Sequence, residues 1–150
     1  MFQGRVLGID AGERRVGLAL SDETRLLATP LRVLSRGARL APVLDTLAEI
    51  VRREGVTLLV VGLPLNADGT AGRQARRARD FAHVAARVTG VPVIMWDERL
   101  STREAEAIVH AQGRSIRQRK DLDAIAAAVI LQDYLDRSAA EGSRTEGAGC

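Results

Sequence analysis

Four carboxylates occupy positions where chemistry is as plausible as packing. Asp10 closes the apolar run Val6–Ile9 in "VLGIDAGERRVGLALSD". Asp97 and Glu98 follow the run Val91–Trp96, and Asp123 falls in the first turn of an alanine-rich stretch beginning at Leu122. A carboxylate so close to a sheet core is costly unless a backbone amide, a cation or a metal ion faces it. If the first and last strands are neighbours, Asp10 and the Asp97/Glu98 pair come together, and a final helix packed over the strand ends adds Asp123. Clustered carboxylates repel unless a divalent cation sits among them. Hard oxygen ligands of this type suit Mg²⁺ or Mn²⁺. Two such ions about 4 Å apart can activate a water and steady the leaving oxygen of a phosphodiester. Each acid also has a purely structural reading. Asp10 can accept the amides of Gly12 or Glu13 in the turn. Asp97 can be a strand-end turn residue, Glu98 can pair with a nearby arginine, and Asp123 suits the positive end of a helix dipole. Ser101 with Glu104 reads as a capping box.

Cations are spread around these acids. Arg73, Arg76, Arg77 and Asp80 share one helical face, Arg14 and Arg15 sit in the first turn, and Arg99 adjoins Glu98. The stretch "GRSIRQRKD" before Asp123 reads as a basic loop carrying Arg114, Arg117, Arg119 and Lys120. Lys120 is the only lysine, so the basic side is almost all arginine, whose planar fork suits phosphate. Arginine usage also follows genome base composition, and the net charge of +3 permits a nucleic-acid partner without demanding one. Aromatic residues are few, so stacking of unpaired bases is not an obvious theme. His83 and His110 are isolated from other zinc-type ligands, which argues against zinc. No Walker loop or GxGxxG is present, and "GLPLNADG" is only a weak phosphate-cradle signal.

The elements that must position these groups follow from periodicity. Three strand-like runs come first: Arg5–Asp10, Arg15–Ser21 and about Arg25–Leu34. Pro30 puts the third at an edge or beside a bulge. Leu40, Val43, Leu44, Leu47, Ile50 and Val51 form a helical stripe. "GVTLLVVGLP" and "VPVIMW" read as buried parallel strands separated by a helix over Ala71–Val88. A third helix spans Thr102 to about Ala111, a fourth Leu122–Leu135. A meander followed by alternating helix and strand predicts a mixed α/β sheet covered on both faces, with ligands gathered beyond the strand ends. At 150 residues one domain is expected, residues 1–137, with 138–150 a flexible tail. No run is apolar enough for a membrane span, no secretory h-region precedes the first strand, and the single cysteine, Cys150, fits a cytoplasmic setting.

Four segments in order, "GIDAGERRVGLALSD", "VVGLPLNADGTAG", "WDERLSTREAE" and "KDLDAIAAAVILQDYL", resemble the YqgF/RuvX family. The resemblance runs from about Val6 to Leu135. It implies an RNase H-like fold with a five-stranded sheet, three antiparallel strands and then two parallel ones. It also implies that Asp10, Glu98 and Asp123 are the catalytic, metal-binding acids for Mg²⁺ or Mn²⁺, with Asp97 in the same motif. The activity implied is endonucleolytic cleavage of structured nucleic acid: the end of precursor small-subunit ribosomal RNA, a four-way DNA junction, or both. Phosphate contacts are expected from Arg14, Arg73, Arg76, Arg77, Arg99, Arg114, Arg117, Arg119 and Lys120. A resolvase must face two symmetric strands, which requires a two-fold homodimer. Two other readings stay open: a non-catalytic module binding RNA or the assembling ribosome, and a relative of actin-like ATPases. The first hairpin also resembles the phosphate hairpin of those ATPases, but they need two such lobes.

Overall fold

The computed structural model describes residues 4–112 and 119–148, with only the backbone described at 119–121 and 142–148. Strands β1 (Arg5–Ala11), β2 (Arg15–Ser21) and β3 (Ala28–Ser35) form an antiparallel meander. Helix α1 (Ala41–Glu54) leads to β4 (Val56–Leu63), which pairs parallel to β1. Helix α2 (Arg73–Thr89) leads to β5 (Val93–Asp97), parallel to β4. A single 3₁₀ turn (Glu98–Leu100), α3 (Arg103–His110) and α4 (Arg119–Ala148) follow. The sheet order is β3-β2-β1-β4-β5, the mixed arrangement expected from the sequence.

Strand side chains alternate between faces, so parity assigns each residue to a layer. Leu7, Ile9, Val16, Leu18, Leu59 and Val61 pack against α1 and α2. Val6, Ala19 and Val60 pack against α3 and α4 on the other face, and Asp10, in step with Val6, belongs to that second layer. This face is lined with small residues because α4 lies very close to it. A Cβ at Gly8 would stand 2.7 Å from the Leu131 Cβ, and one at Gly17 would stand 2.0 Å from the Asp123 carbonyl oxygen. Ala124, Ala127 and Ala128 supply the matching flat surface on the helix. Fully buried Gln132 ties α4 to the start of β3. Its Oε1 accepts from the Ala28 N–H at 2.8 Å and its Nε2 donates to the Leu26 carbonyl at 2.9 Å.

Pro30 lies in the edge strand β3, opposite Ala19, where the register slips beside Leu18 and leaves Leu31 unmatched. Both expectations for this proline hold, since it cannot donate to a ladder. Several boundaries differ from the sequence reading; α4, for one, starts at Arg119, inside the stretch expected to be a loop, rather than at Leu122. Strand β3 begins at Ala28 rather than Arg25 because Asp22 folds the preceding residues into a turn. Its carboxylate accepts the N–H groups of Thr24, Leu26 and Leu27, and Arg25 adopts a left-handed φ of 59°. The cap of α3 is Thr102, whose hydroxyl accepts from the Ala105 N–H at 3.1 Å, in place of the Ser101–Glu104 box. The last helix, expected to end near Leu135 with a frayed segment from Ser138, continues through Ala148. Ala139, Ala140 and Glu141 favour helix, and no proline interrupts them.

Candidate active site

Strands β1 and β5 are not neighbours, because β4 lies between them. The side-by-side placement considered for Asp10 and Glu98 is corrected accordingly. What closes the gap is Gly62 on β4. A Cβ there would stand 2.6 Å from Glu98 Oε1 and 2.7 Å from Ile130 Cδ1. Its absence lets the Glu98 carboxyl cross the end of β4 and share a pocket with Asp10. Gly17, directly opposite Asp10 in the β1–β2 register, does the same for α4, admitting the backbone of Asp123 over the hairpin. Two glycines, neither of which could do chemistry, therefore assemble the acids.

The position of the Glu98 turn is fixed from behind. Trp96 Nε1 donates to Asp133 Oδ2 at 2.8 Å, and the Arg137 guanidinium lies 5.9 Å from the Trp96 ring centroid. Arg137 also donates to the Leu100 carbonyl at 3.1 Å and pairs with Asp133 at 3.4 Å. Helix α4 thus holds both ends of the segment that carries Glu98.

The four acids divide into different environments. Burial, reinforced by the negative charge of Asp123, pushes the Asp10 carboxyl up to about 6. Burial, then the charges of Asp10 and Asp97, pushes Glu98 up to about 7. Neither carboxylate has a hydrogen bond or ion pair among the described residues. The capping role for Asp10 does not apply, since the Gly12 N–H donates to the Arg15 carbonyl at 2.9 Å. Asp123 Oδ2 accepts from Arg15 Nε at 2.9 Å. Asp97 is the strand-end turn residue of the structural reading. It accepts the Arg99 N–H at 2.9 Å and the Arg99 guanidinium at 2.8 Å, which together hold its carboxyl below the ordinary range.

The donor chemistry fits a hard divalent cation: unpartnered carboxylates, raised by burial and mutual repulsion, at one end of a sheet. As the side chains stand, no three acidic, histidine or cysteine groups among the described residues converge closely enough to hold an ion, and Asp123 is engaged by Arg15.

The predicted cations separate likewise. A pocket of about 170 Å³ is lined by Asp10, Gly12, Glu13, Gln74, Arg77 and Glu98. It adjoins one of about 310 Å³ bounded by Glu13, Pro64, Arg73, Gln74 and Arg77, and that adjoins one of about 430 Å³ bounded by Arg36, Arg73, Arg76 and Arg77. Arg73, Arg76 and Arg77 therefore line a groove leading from the acids, while Arg14 is exposed on the hairpin turn. Arg99 is committed elsewhere: besides gripping Asp97, it donates to the Ala67 carbonyl at 3.3 Å, fastening the β4–α2 loop. Arg114 and Arg117 lie outside the described residues, and Arg119 and Lys120 are described only as the start of α4. Sequence reasoning missed Gly17, Gly62 and Arg36. The glycines carried a signal, as glycine inside a strand marks close approach.

A mixed sheet in this order, sandwiched between helices, is an RNase H-like fold of the kind found in junction-resolving nucleases. By structure the chain is similar to T. thermophilus RuvC in complex with a Holliday junction substrate, with a TM-score of 0.64 at 19% identity over 91% of this chain and 97% of that one. It is also similar to a fowlpox virus resolvase bound to Holliday junction DNA, with a TM-score of 0.53 at 12% identity over 89% and 97%. The family model described as "RuvX: Holliday junction resolvase" matches residues 4–137, and the chain belongs to that nuclease family. Among its curated relatives is a "Putative pre-16S rRNA nuclease" of Anaeromyxobacter sp. (strain Fw109-5), 52% identical over 88% of this chain and 96% of the relative. A protein of the same name from Symbiobacterium thermophilum is 47% identical over 91% and 94%.

Proposed function

We propose that the chain is a divalent-metal-dependent endonuclease acting on structured nucleic acid, with Asp10, Glu98 and Asp123 as its metal ligands and catalytic residues. The observation that carries this reading is the pair Asp10 and Glu98, brought together across Gly62 without any described partner, at the head of an arginine-lined groove. Bound Mg²⁺ or Mn²⁺ would supply the Lewis acidity that activates water and stabilises the leaving oxygen of a phosphodiester. The chain's own part is to hold carboxylates in a site poor in competing donors and to bring phosphates to them. Because burial raises Asp10 to about 6 and Glu98 to about 7 when metal-free, loading the site in mildly acidic to neutral solution releases protons, and affinity for the ion rises with pH across that range. Arg73, Arg76 and Arg77 are positioned for the phosphate backbone, with Arg14 on the hairpin; Arg114, Arg117, Arg119 and Lys120 remain candidates for the same role.

The names of the curated relatives favour the end of precursor 16S ribosomal RNA as substrate. The description of the family favours a second reading, resolution of Holliday junctions, which requires a homodimer with two sites in two-fold array. The test is cleavage of an end-labelled precursor RNA fragment and of a four-way DNA junction in Mg²⁺, Mn²⁺ and EDTA. Cutting should require the metal and fall on the order of 10³-fold in Asp10→Asn. The preferred substrate, with light scattering for dimerisation, decides between the two readings. Binding that survives EDTA with no cutting in either metal would leave the non-catalytic module instead.

A further inference from the structure

Arg36, on the connection between β3 and α1, belongs to none of the recognised motifs, yet it forms one wall of the groove that leads away from the acids. The opposite wall is the first half of α2, which presents Arg73, Arg76 and Arg77. None of these four guanidiniums has a carboxylate partner among the described residues, although Asp80 lies on the same wall. The arrangement is electrostatically unfavourable for the free protein. Like charges three and four residues apart destabilise a helix. Cations at a helix N-terminus also oppose its dipole, and α2 has no acid in its first turn and no side-chain cap. A local rule broken this consistently marks a binding surface, where an anionic ligand offsets the repulsion.

Arg36 is also the most firmly held of the four. Its Nη1 donates to the Gly12 carbonyl at 3.1 Å, and its guanidinium lies 6.0 Å from the centroid of the buried Phe81 ring. A guanidinium already oriented loses little freedom on meeting a phosphate. Asp80 lines the outer depression among the arginines, and Glu13 lies at the junction of the two inner ones, next to the Asp10–Glu98 centre. Phosphates are thereby disfavoured at that junction and favoured beyond it.

We infer that the three adjoining depressions form a track for the phosphates of one nucleic-acid strand leaving the Asp10–Glu98 centre, and that Arg36 is its outer anchor. The inference rests on the nuclease reading for its direction, inward to the acids, but not for the binding itself. The test measures affinity for single-stranded oligonucleotides of graded length in EDTA by fluorescence anisotropy, across a range of salt. Arg36→Gln should weaken binding of the longer oligonucleotides severalfold and lower the steepness of log K against log [salt] by about 0.7, the contribution of one phosphate contact on a single strand. Arg36→Lys should retain most of the salt dependence, and Arg87→Gln, on the same helix outside the groove, should match wild type. An unchanged slope in Arg36→Gln overturns the track. So does an equal loss in Arg36→Lys, which would mean that the positive charge at this position is not what holds the strand. A loss seen with duplex only would overturn the single-strand assignment. Absence of metal-dependent cleavage alongside the expected binding results would remove the nuclease reading and leave the groove standing.

Discussion

The two ends of the sheet treat an aspartate in opposite ways. At one end Asp22, just after β2, is saturated with donors: the N–H groups of Thr24, Leu26 and Leu27 and the Thr24 hydroxyl. Those bonds outweigh the slight burial and hold its carboxyl down at about 2. At the other end Asp10 is more deeply enclosed, receives no described hydrogen bond, faces Asp123, and is pushed up to about 6. The contrast repeats within two consecutive residues, for Asp97 is bonded and lowered by Arg99 while Glu98 is raised to about 7. Carboxylates used for structure come with their donors supplied by the chain. Those left without donors are available to a ligand from outside.

The comparison breaks most visibly in metal-free stability against pH. The folded state holds Asp10 at about 6 against an ordinary 3.8, so its ionised form is penalised by folding. Stability from this group is fully present below about pH 4 and is lost as pH rises through 6. The difference is about 3 kcal/mol at neutral pH. Urea titrations in EDTA should therefore show wild type weakening between pH 4 and 8, and Asp10→Asn weakening less, with the part due to Glu98 remaining. Equal pH profiles would mean that Asp10 is partnered after all.

A middle-sized effect tests how Glu98 reaches the centre. Gly62→Ala places a methyl 2.6 Å from Glu98 Oε1, so the carboxyl must move. Displacement by about an ångström should lower cleavage on the order of 100-fold, while overpacking against Ile130 costs about 1–2 kcal/mol in thermal or urea unfolding. Loss of stability with full activity would show that Glu98 does not need its present position.

The smallest effect is expected at the saturated end. Asp22→Ala should cost about 1 kcal/mol by leaving exposed turn amides to water, with cleavage unchanged. For Asp22 the sign is reversed: its stabilisation is present above pH 4 and declines as pH falls through 2, so wild type and variant should converge in strong acid. An activity loss here would join two ends of the sheet that share no site.

Local pattern carried much of this. The stripe Leu40–Val51 became α1, the apolar run Val56–Leu63 became a parallel strand, and Pro30 announced an edge and a bulge, because periodicity and a missing N–H act over a few residues. Asp10, Asp97, Glu98 and Asp123 stood out equally in the sequence, since each ends or begins an element. Which of them had donors was not legible, because the donors of Asp97 come from a 3₁₀ turn and those absent from Asp10 are defined by how the hairpin closes.

Composition, motif and alternation by themselves determined the strands, most helix positions, the family and the set of acids from which a site could be drawn. The tertiary structure alone decided that β4 separates β1 from β5, that Gly62 and Gly17 open the way for Glu98 and α4, and that Arg36 joins Arg73, Arg76 and Arg77 around one groove. The physical reason is range. Hydrogen-bond caps and hydrophobic periods are written within a few residues, whereas desolvation, charge repulsion and close approach depend on atoms that the chain brings together from far apart.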